Sequence, residues 1–293
     1  MFTLQPPKLI QLENILFRRL KDYRFSDTYY RIQHGFLGEL KFSNIFKVSH
    51  DHLELFNINI DIAGYQFEVD RLIITGESIY VFDVKHYALP CREEVEYWSN
   101  KFNSFKSPMP QFRMMKDGFS VYVDYHQLSH RLECKMVFIN EHFYIDRKTE
   151  DMLYFKDIAP LFSVIKQERI AGNFERAIQN HLFSLHRPIE QYNLRPLFNI
   201  MDVQRGVICE ICAKPIDLRV TTKRLVMCDA CGNAKTKEKW IQHTLIELAL
   251  LLNRPFTAKE AYKWTGRSNR HITKRVLDKY FEKIDDHYIL NEV

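Results

Sequence analysis

Two short apolar runs carry charges that their surroundings do not call for. One reads Phe67-Glu68-Val69-Asp70-Arg71-Leu72-Ile73-Ile74, the other Tyr80-Val81-Phe82-Asp83-Val84-Lys85. Side chains on a strand alternate between its faces, so Asp83 and Lys85 share a face, and Glu68 shares that of Asp70. If the two runs pair through a turn at Gly76, Asp70 lies near Asp83. Charge on the strands of a core sheet is costly unless it has a partner or a metal. Two carboxylates with a lysine make a site for a hard divalent cation and an anionic substrate. An Asp-x-Lys pair standing alone is more often a solvated surface pair, so its neighbours must decide. Gly38-Glu39 lies in a helix expected just before; Trp98 and Pro110-Gln111 follow.

A second set of residues points to a different metal. Cys209-x2-Cys212 and Cys228-x2-Cys231 are separated by fifteen residues. Two-residue gaps let both thiolates of each pair turn onto one ion, and four sulfurs make the tetrahedral shell that Zn²⁺ prefers. A closed four-thiolate shell leaves no position for water, so this zinc is structural. A ribbon this short has little core, and metal binding would supply its folding energy. Cys91 and Cys134 fall outside the pattern and read as ordinary thiols. Of the twelve histidines, only His126 and His130 stand at His-x3-His spacing.

The elements that must position these groups follow from periodicity. Residues 8–21 carry Leu9, Leu12, Leu16 and Leu20 at helical spacing after Pro6-Pro7, an amphipathic arm within an N-terminal segment 1–29. Residues 30–185 read as an α/β domain. A helix is expected over 35–48, and strands over 53–62 and 65–74 joined by a tight turn at Ala63-Gly64. A third strand covers 78–85, rich in β-branched and aromatic residues. A helix is expected over 110–128, weakened by Gly118, then a buried strand over 134–139 and mostly helix over 156–185. Residues 186–206, with two Arg-Pro steps, read as a linker; 207–234 are the ribbon and 235–293 a last small domain.

In that last domain, residues 240–252 form a well-buried helix. Thr257 and Glu260 make a capping box for a short helix over 258–265 that stops at Gly266. A third helix begins at Ser268, with Ile272, Val276 and Leu277 as its buried stripe and Arg267, Asn269, Arg270, His271, Lys274 and Arg275 on the other face. A short hairpin over 282–290 closes the chain. Helix, helix, glycine turn, basic helix and hairpin is the winged helix-turn-helix order. There the third helix enters the DNA major groove, and Arg267, Asn269, Arg270, Lys274 and Arg275 are residue types that read bases or hold phosphates. Winged helices also serve as protein-interaction modules. Twelve Lys/Arg against eight Asp/Glu in 235–293 make the domain only modestly basic.

Composition sets outer bounds. The chain has 293 residues, 46% apolar and 27% charged, with 9 Gly and 10 Pro, which excludes disordered and collagen-like classes. No stretch reaches the roughly 18 apolar residues of a membrane span. No basic head followed by an apolar run marks a signal peptide, so the expected compartment is the cytoplasm, where thiols stay reduced. A net charge of +5 leans mildly towards polyanionic partners.

Taken in order, Gly35-x-x-Gly38-Glu39, Glu68-Val69-Asp70, Val81-Phe82-Asp83-Val84-Lys85 and Pro108-x-Pro110-Gln111 resemble the NERD (nuclease-related) domain, a branch of the PD-(D/E)XK nuclease superfamily. The resemblance covers roughly residues 30 to 150. It implies a mixed central sheet flanked by helices. It makes Asp70 the metal aspartate, Asp83 and Lys85 the acid-x-lysine pair, Glu39 the helix glutamate beside the metal, and Gln111 the glutamine opening the helix after the core strands. Asp70, Asp83 and Glu39 would then hold Mg²⁺ or Mn²⁺, with the Val84 carbonyl as a further oxygen ligand and Lys85 orienting or deprotonating the attacking water. One departure stands out: the family usually has Glu where this chain has Asp83, and the shorter side chain could weaken cleavage. Glu68 reads as a rim residue or an extra ligand, and His86 and Tyr87 as groove or packing residues. Three functions remain open. The chain is a metal-dependent DNA endonuclease, or a DNA-binding regulator that does not cut, or an interaction scaffold with an idle fold. Intact Asp70, Asp83, Lys85, Glu39 and Gln111 favour the first. A double-strand cut would be easiest for a homodimer, though no segment announces that interface.

Overall fold

A computed structural model describes residues 4–48, 52–94, 96–187, 194–219 and 224–290; residues 188–193 of the expected linker and 220–223 of the cysteine module lie outside the described residues. The chain divides into two compact units, Met1–Pro7 with Tyr30–Asn193 and Lys8–Tyr29 with Leu194–Val293. The first helix, α1 (Lys8–Arg19), belongs to the second unit.

The first unit is α/β. Helix α2 (Asp27–Ile45) leads into β1 (Leu53–Ile62), β2 (Tyr65–Ile74) and β3 (Ser78–Lys85). Three short strands follow: β4 (Arg92–Glu93), β5 (Tyr97–Ser99) and β6 (Ser104–Lys106). Then come α3 (Met109–Tyr125), β7 (Arg131–Phe138), β8 (Met152–Tyr154), α4 (Phe155–Ile165) and α5 (Asn173–Ser184). The central sheet has the order β1-β2-β3-β7-β8. Its first three strands run antiparallel; β3–β7 and β7–β8 are parallel. It is therefore a mixed sheet with helices on its faces.

Each face buries its own core. Ile79 and Val81 of β3 join Phe112, Met115 and Phe119 of α3 on one side. Tyr80, Phe82 and Val84 join Phe42 of α2 and Ile158, Phe162 and Ile165 of α4 on the other. Strand β3, buried on both faces, is the near-continuous apolar run that such a position demands. Helix α3 lies directly against β2: a Cβ added at Gly118 would stand 2.3 Å from Phe67 Cε1, so only glycine permits that approach. Arg71 is 2% exposed; its Nε donates to Glu54 Oε2 at 2.8 Å and its Nη1 to Phe46 O at 2.7 Å.

Several boundaries differ from expectation. Helix α2 starts at Asp27, ahead of Gly35, because Ser26 caps it through Oγ to the Tyr29 N–H at 3.0 Å. Strand β7 starts at Arg131, where pairing with Ser78 recruits polar residues that have no strand signature of their own. The β4-β5-β6 sheet was not anticipated, since strands of two or three residues are too short to show alternation.

In the second unit, α1 buries Leu12, Ile15 and Leu16 with Trp240, Ile241 and Leu245. Buried Arg19 meets Glu247 and donates to the carbonyls of Gln204 and Gly206 at 2.8 and 3.0 Å. Two small hairpins carry the cysteines: β9 (Val207–Ile208) with β10 (Pro215–Ile216), and β11 (Leu225–Met227) with β12 (Ala234–Thr236). Next come α6 (Lys237–Leu252), β13 (Phe256–Thr257), α7 (Ala258–Trp264), α8 (Arg270–Tyr280), β14 (Phe281–Ile284) and β15 (His287–Leu290), with β13 adding to the terminal hairpin in the order β13-β15-β14. The Thr257–Glu260 capping box is present. Helix α8 starts at Arg270, not Ser268, because the Asn269 side chain accepts the Ile272 N–H and serves as its N-cap. Among the described residues, no helix is long and apolar enough to cross a membrane.

Candidate functional site

Four acidic groups of the first unit, Glu39, Glu68, Asp70 and Asp83, gather where β2 and β3 part. The last paired row between them is Arg71↔Phe82. In the next row, Asp70 and Asp83 would face one another, but the ladder stops. The Asp70 carboxylate instead accepts the Val84 N–H, 2.5 Å from Oδ2. A side chain thus replaces the backbone partner that Val84 would otherwise lack. Lys85 Nζ lies 2.5 Å from Asp83 Oδ1. Asp83 is 6% exposed, and its Oδ2 is buried with no hydrogen-bond partner among the described residues.

Glu39 reaches the cluster from α2. The glycine before it explains how: a Cβ at Gly38 would stand 2.6 Å from the Cβ of His86, so the helix passes the end of β3 at backbone-contact distance. His86 itself stacks on His34 with ring centroids 4.4 Å apart and packs rather than reaching the acids. Glu68 lies on the same stretch of β2 as Asp70.

The electrostatics are those of crowded, buried acids. Burial raises Glu39 to about 7, opposed by the hydrogen bond from Asn57 and reinforced by Glu68. Burial holds Asp70 well above the ordinary carboxylate range, with Glu39 and Asp83 adding to the rise. Burial also raises Glu68, opposed by Lys85 and helped by Asp83. For Lys85, burial alone would favour the neutral amine; Asp83 and Asp70 outweigh it and hold the ammonium charged. Excess carboxylate in a desolvated pocket, with one buried oxygen unpartnered, is an environment that a hard cation relieves.

The structure therefore brings Glu39, Glu68, Asp70, Asp83 and Lys85 together. It does not bring in Gln111, which is exposed in the first turn of α3 and makes no hydrogen bond to the cluster among the described residues. Asn57, which the sequence reading passed over, does belong: its Nδ2 donates to Glu39 Oε2 at 3.0 Å. A signal existed, since the apolar alternation of β1 changes phase between Leu55 and Ile58, at the asparagine.

The cysteines form the tightest cluster. Their four sulfurs all lie within 4.8 Å of one another, the only such set of three or more Cys, His, Asp or Glu among the described residues. Cys209 and Cys231 sulfurs are 3.6 Å apart, Cys212 and Cys228 3.5 Å. Tetrahedral Zn–S bonds of about 2.3 Å require edges near 3.8 Å, so the set fits zinc. The two halves are built alike: Ala213 N–H bonds Cys209 O at 3.0 Å, and Gly232 N–H bonds Cys228 O at 2.9 Å. Both Ala213 and Gly232 have positive φ, the turn that brings each pair of thiols inward. No three of the carboxylates Glu39, Glu68, Asp70 and Asp83 come as close to one another as these sulfurs do among the described residues.

On α8 and the turn that leads into it, Arg267, Asn269, Arg270, Lys274 and Arg275 are all exposed. Two are engaged: the Asn269 oxygen caps the helix, and Lys274 pairs with Asp278 and the Tyr288 hydroxyl.

A family model described as NERD, nuclease-related domain, matches residues 34–139, a span that holds Glu39, Asn57, Glu68, Asp70, Asp83, Lys85 and Gln111. Comparison with curated proteins and with solved structures gave no match.

Proposed function

We propose, from the match of residues 34–139 to a nuclease-related family model, that the chain is a metal-dependent nuclease that cuts DNA phosphodiester bonds. The observation that carries this reading is the parting of β2 and β3 around Asp70, Asp83 and Lys85, with Asp83 Oδ2 buried and without a partner among the described residues. Asp70, Asp83 and Glu39 would hold Mg²⁺ or Mn²⁺, hard ions that select such oxygen donors. When bound, the ion lowers the pKa of a coordinated water and offsets charge on the scissile phosphate. Lys85, kept charged by its partner Asp83, orients the attacking water and faces the negative charge that develops on phosphorus oxygens. Burial excludes bulk water around these groups and strengthens each contact. Gln111 meets substrate or solvent outside the buried pocket.

Cys209, Cys212, Cys228 and Cys231 would hold a structural Zn²⁺. Helix α8 and the turn before it would dock on DNA through Arg267, Arg270 and Arg275, with Asn269 and Lys274 contributing where their present partners allow. A second reading, a DNA-binding protein that does not cut, draws on the closed Lys85–Asp83 pair, which satisfies the lysine without an ion.

Plasmid nicking separates the two. With Mn²⁺ or Mg²⁺ the wild type should nick, chelation should stop it, and Asp70→Asn or Lys85→Ala should each lower the rate by about 100-fold or more. A wild type that binds DNA yet leaves it uncut with either ion would hand the function to the second reading.

A further inference from the structure

Asn57 stands at an unusual point of β1. It lies opposite Asp70, in the unpaired row between Phe56↔Arg71 and Ile58↔Val69. Its φ is +49°, in the left-handed region that interior strand residues rarely adopt. The strand changes phase there: Leu53 and Leu55 face the α3 core before it, and Ile58, Ile60 and Ile62 after it. Strand β2 changes phase at the same row, with Phe67 and Val69 on one side and Leu72 and Ile74 on the other. Because both strands shift together, the register continues unbroken across the defect.

The defect frees Asn57 from the ladder and brings its amide to α2, where Nδ2 donates to Glu39 Oε2 at 3.0 Å. Its Oδ1 is buried without a hydrogen-bond partner among the described residues. Left-handed backbone inside a strand and an unpaired buried acceptor both work against stability, so stability is not what this residue serves.

We propose that Asn57 is a positioning residue: by fixing one oxygen of Glu39, it holds that carboxylate ready for the cation of the Asp70–Asp83 pocket. This rests on the cation-binding reading above. A carboxylate tethered through one oxygen keeps its second for the ion and does not have to be ordered when the ion arrives.

The test is Mn²⁺ affinity of the full, zinc-loaded chain, followed by electron paramagnetic resonance of the free ion. Asn57→Gly deletes the amide yet accepts the left-handed backbone; Asn57→Ser, whose side chain is too short to reach Glu39, is the second variant. Both are confirmed folded by thermal unfolding, and both are repeated on a Glu39→Ala background. Each should weaken Mn²⁺ binding about tenfold alone, and by less than about twofold when Glu39 is already absent, since coupled groups do not add. Wild-type affinity in both variants, or an equal loss in both backgrounds, overturns the assignment while leaving the cation site standing. A wild type that takes up no Mn²⁺ overturns the cation reading itself, and the assignment falls with it.

Discussion

Burial raises Glu39 to about 7, from an ordinary value of 4.5, so the metal-free fold binds a proton there that the unfolded chain has already released. That contribution to stability is fully present below the ordinary value and is lost as pH rises through about 7. Asp70 and Glu68, raised in the same sense, steepen the decline. Glu39→Gln removes one part of it. The metal-free variant should melt higher than wild type at about pH 8 and at the same temperature near pH 4.5. Added Mn²⁺ should raise wild type more than the variant. Superimposable melting curves across this range would refute the buried-acid account. Asp70, Asp83 and Lys85 were legible in the sequence because charges interrupt apolar strands. Asn57 left only the phase change in β1, since an asparagine between apolar residues reads equally as the polar face of a strand.

At the scale of elements, the placement of charge depends on how closely helices approach the sheet. Gly118 reads in sequence as a flaw in a helix, and Ala there would ordinarily gain about 1 kcal/mol of helix propensity. In the fold it is the point where α3 meets β2, with Phe67 Cε1 2.3 Å and Tyr65 Cβ 3.1 Å from any added Cβ. Overpacking of this kind costs about 1–3 kcal/mol, so Gly118→Ala should lower stability in urea unfolding; a gain would show that α3 does not seat on β2 as described. The long strands were readable because each buries at least one full face. Strands β4–β6 were not, because two or three residues carry no period. The phase change at Asn57 shows in the alternation of β1 alone, but its match to the one at Asp70 is set by pairing between strands.

For the whole molecule, cysteine spacing was the clearest signal, because two-residue gaps translate directly into a closed sulfur shell. The leucine stripe of α1 showed that the helix has a partner without showing which; contact with Trp240 and Leu245 is a tertiary outcome. If zinc closes the ribbon, one zinc per chain should be found, and its removal by a strong chelator should speed amide exchange in residues 207–219 and 224–236 while β1–β3 of the other unit stay protected. No zinc, or unchanged exchange, would contradict this. The most direct measurement on the central claim is an anomalous-scattering map from crystals soaked in Mn²⁺. A manganese peak is expected, coordinated by Asp70 and Asp83 at oxygen–metal distances of about 2.2 Å, with Lys85 drawn off Asp83 towards solvent. A map empty there, with Lys85 still locked on Asp83 while the metal appears at other carboxylates, would contradict it.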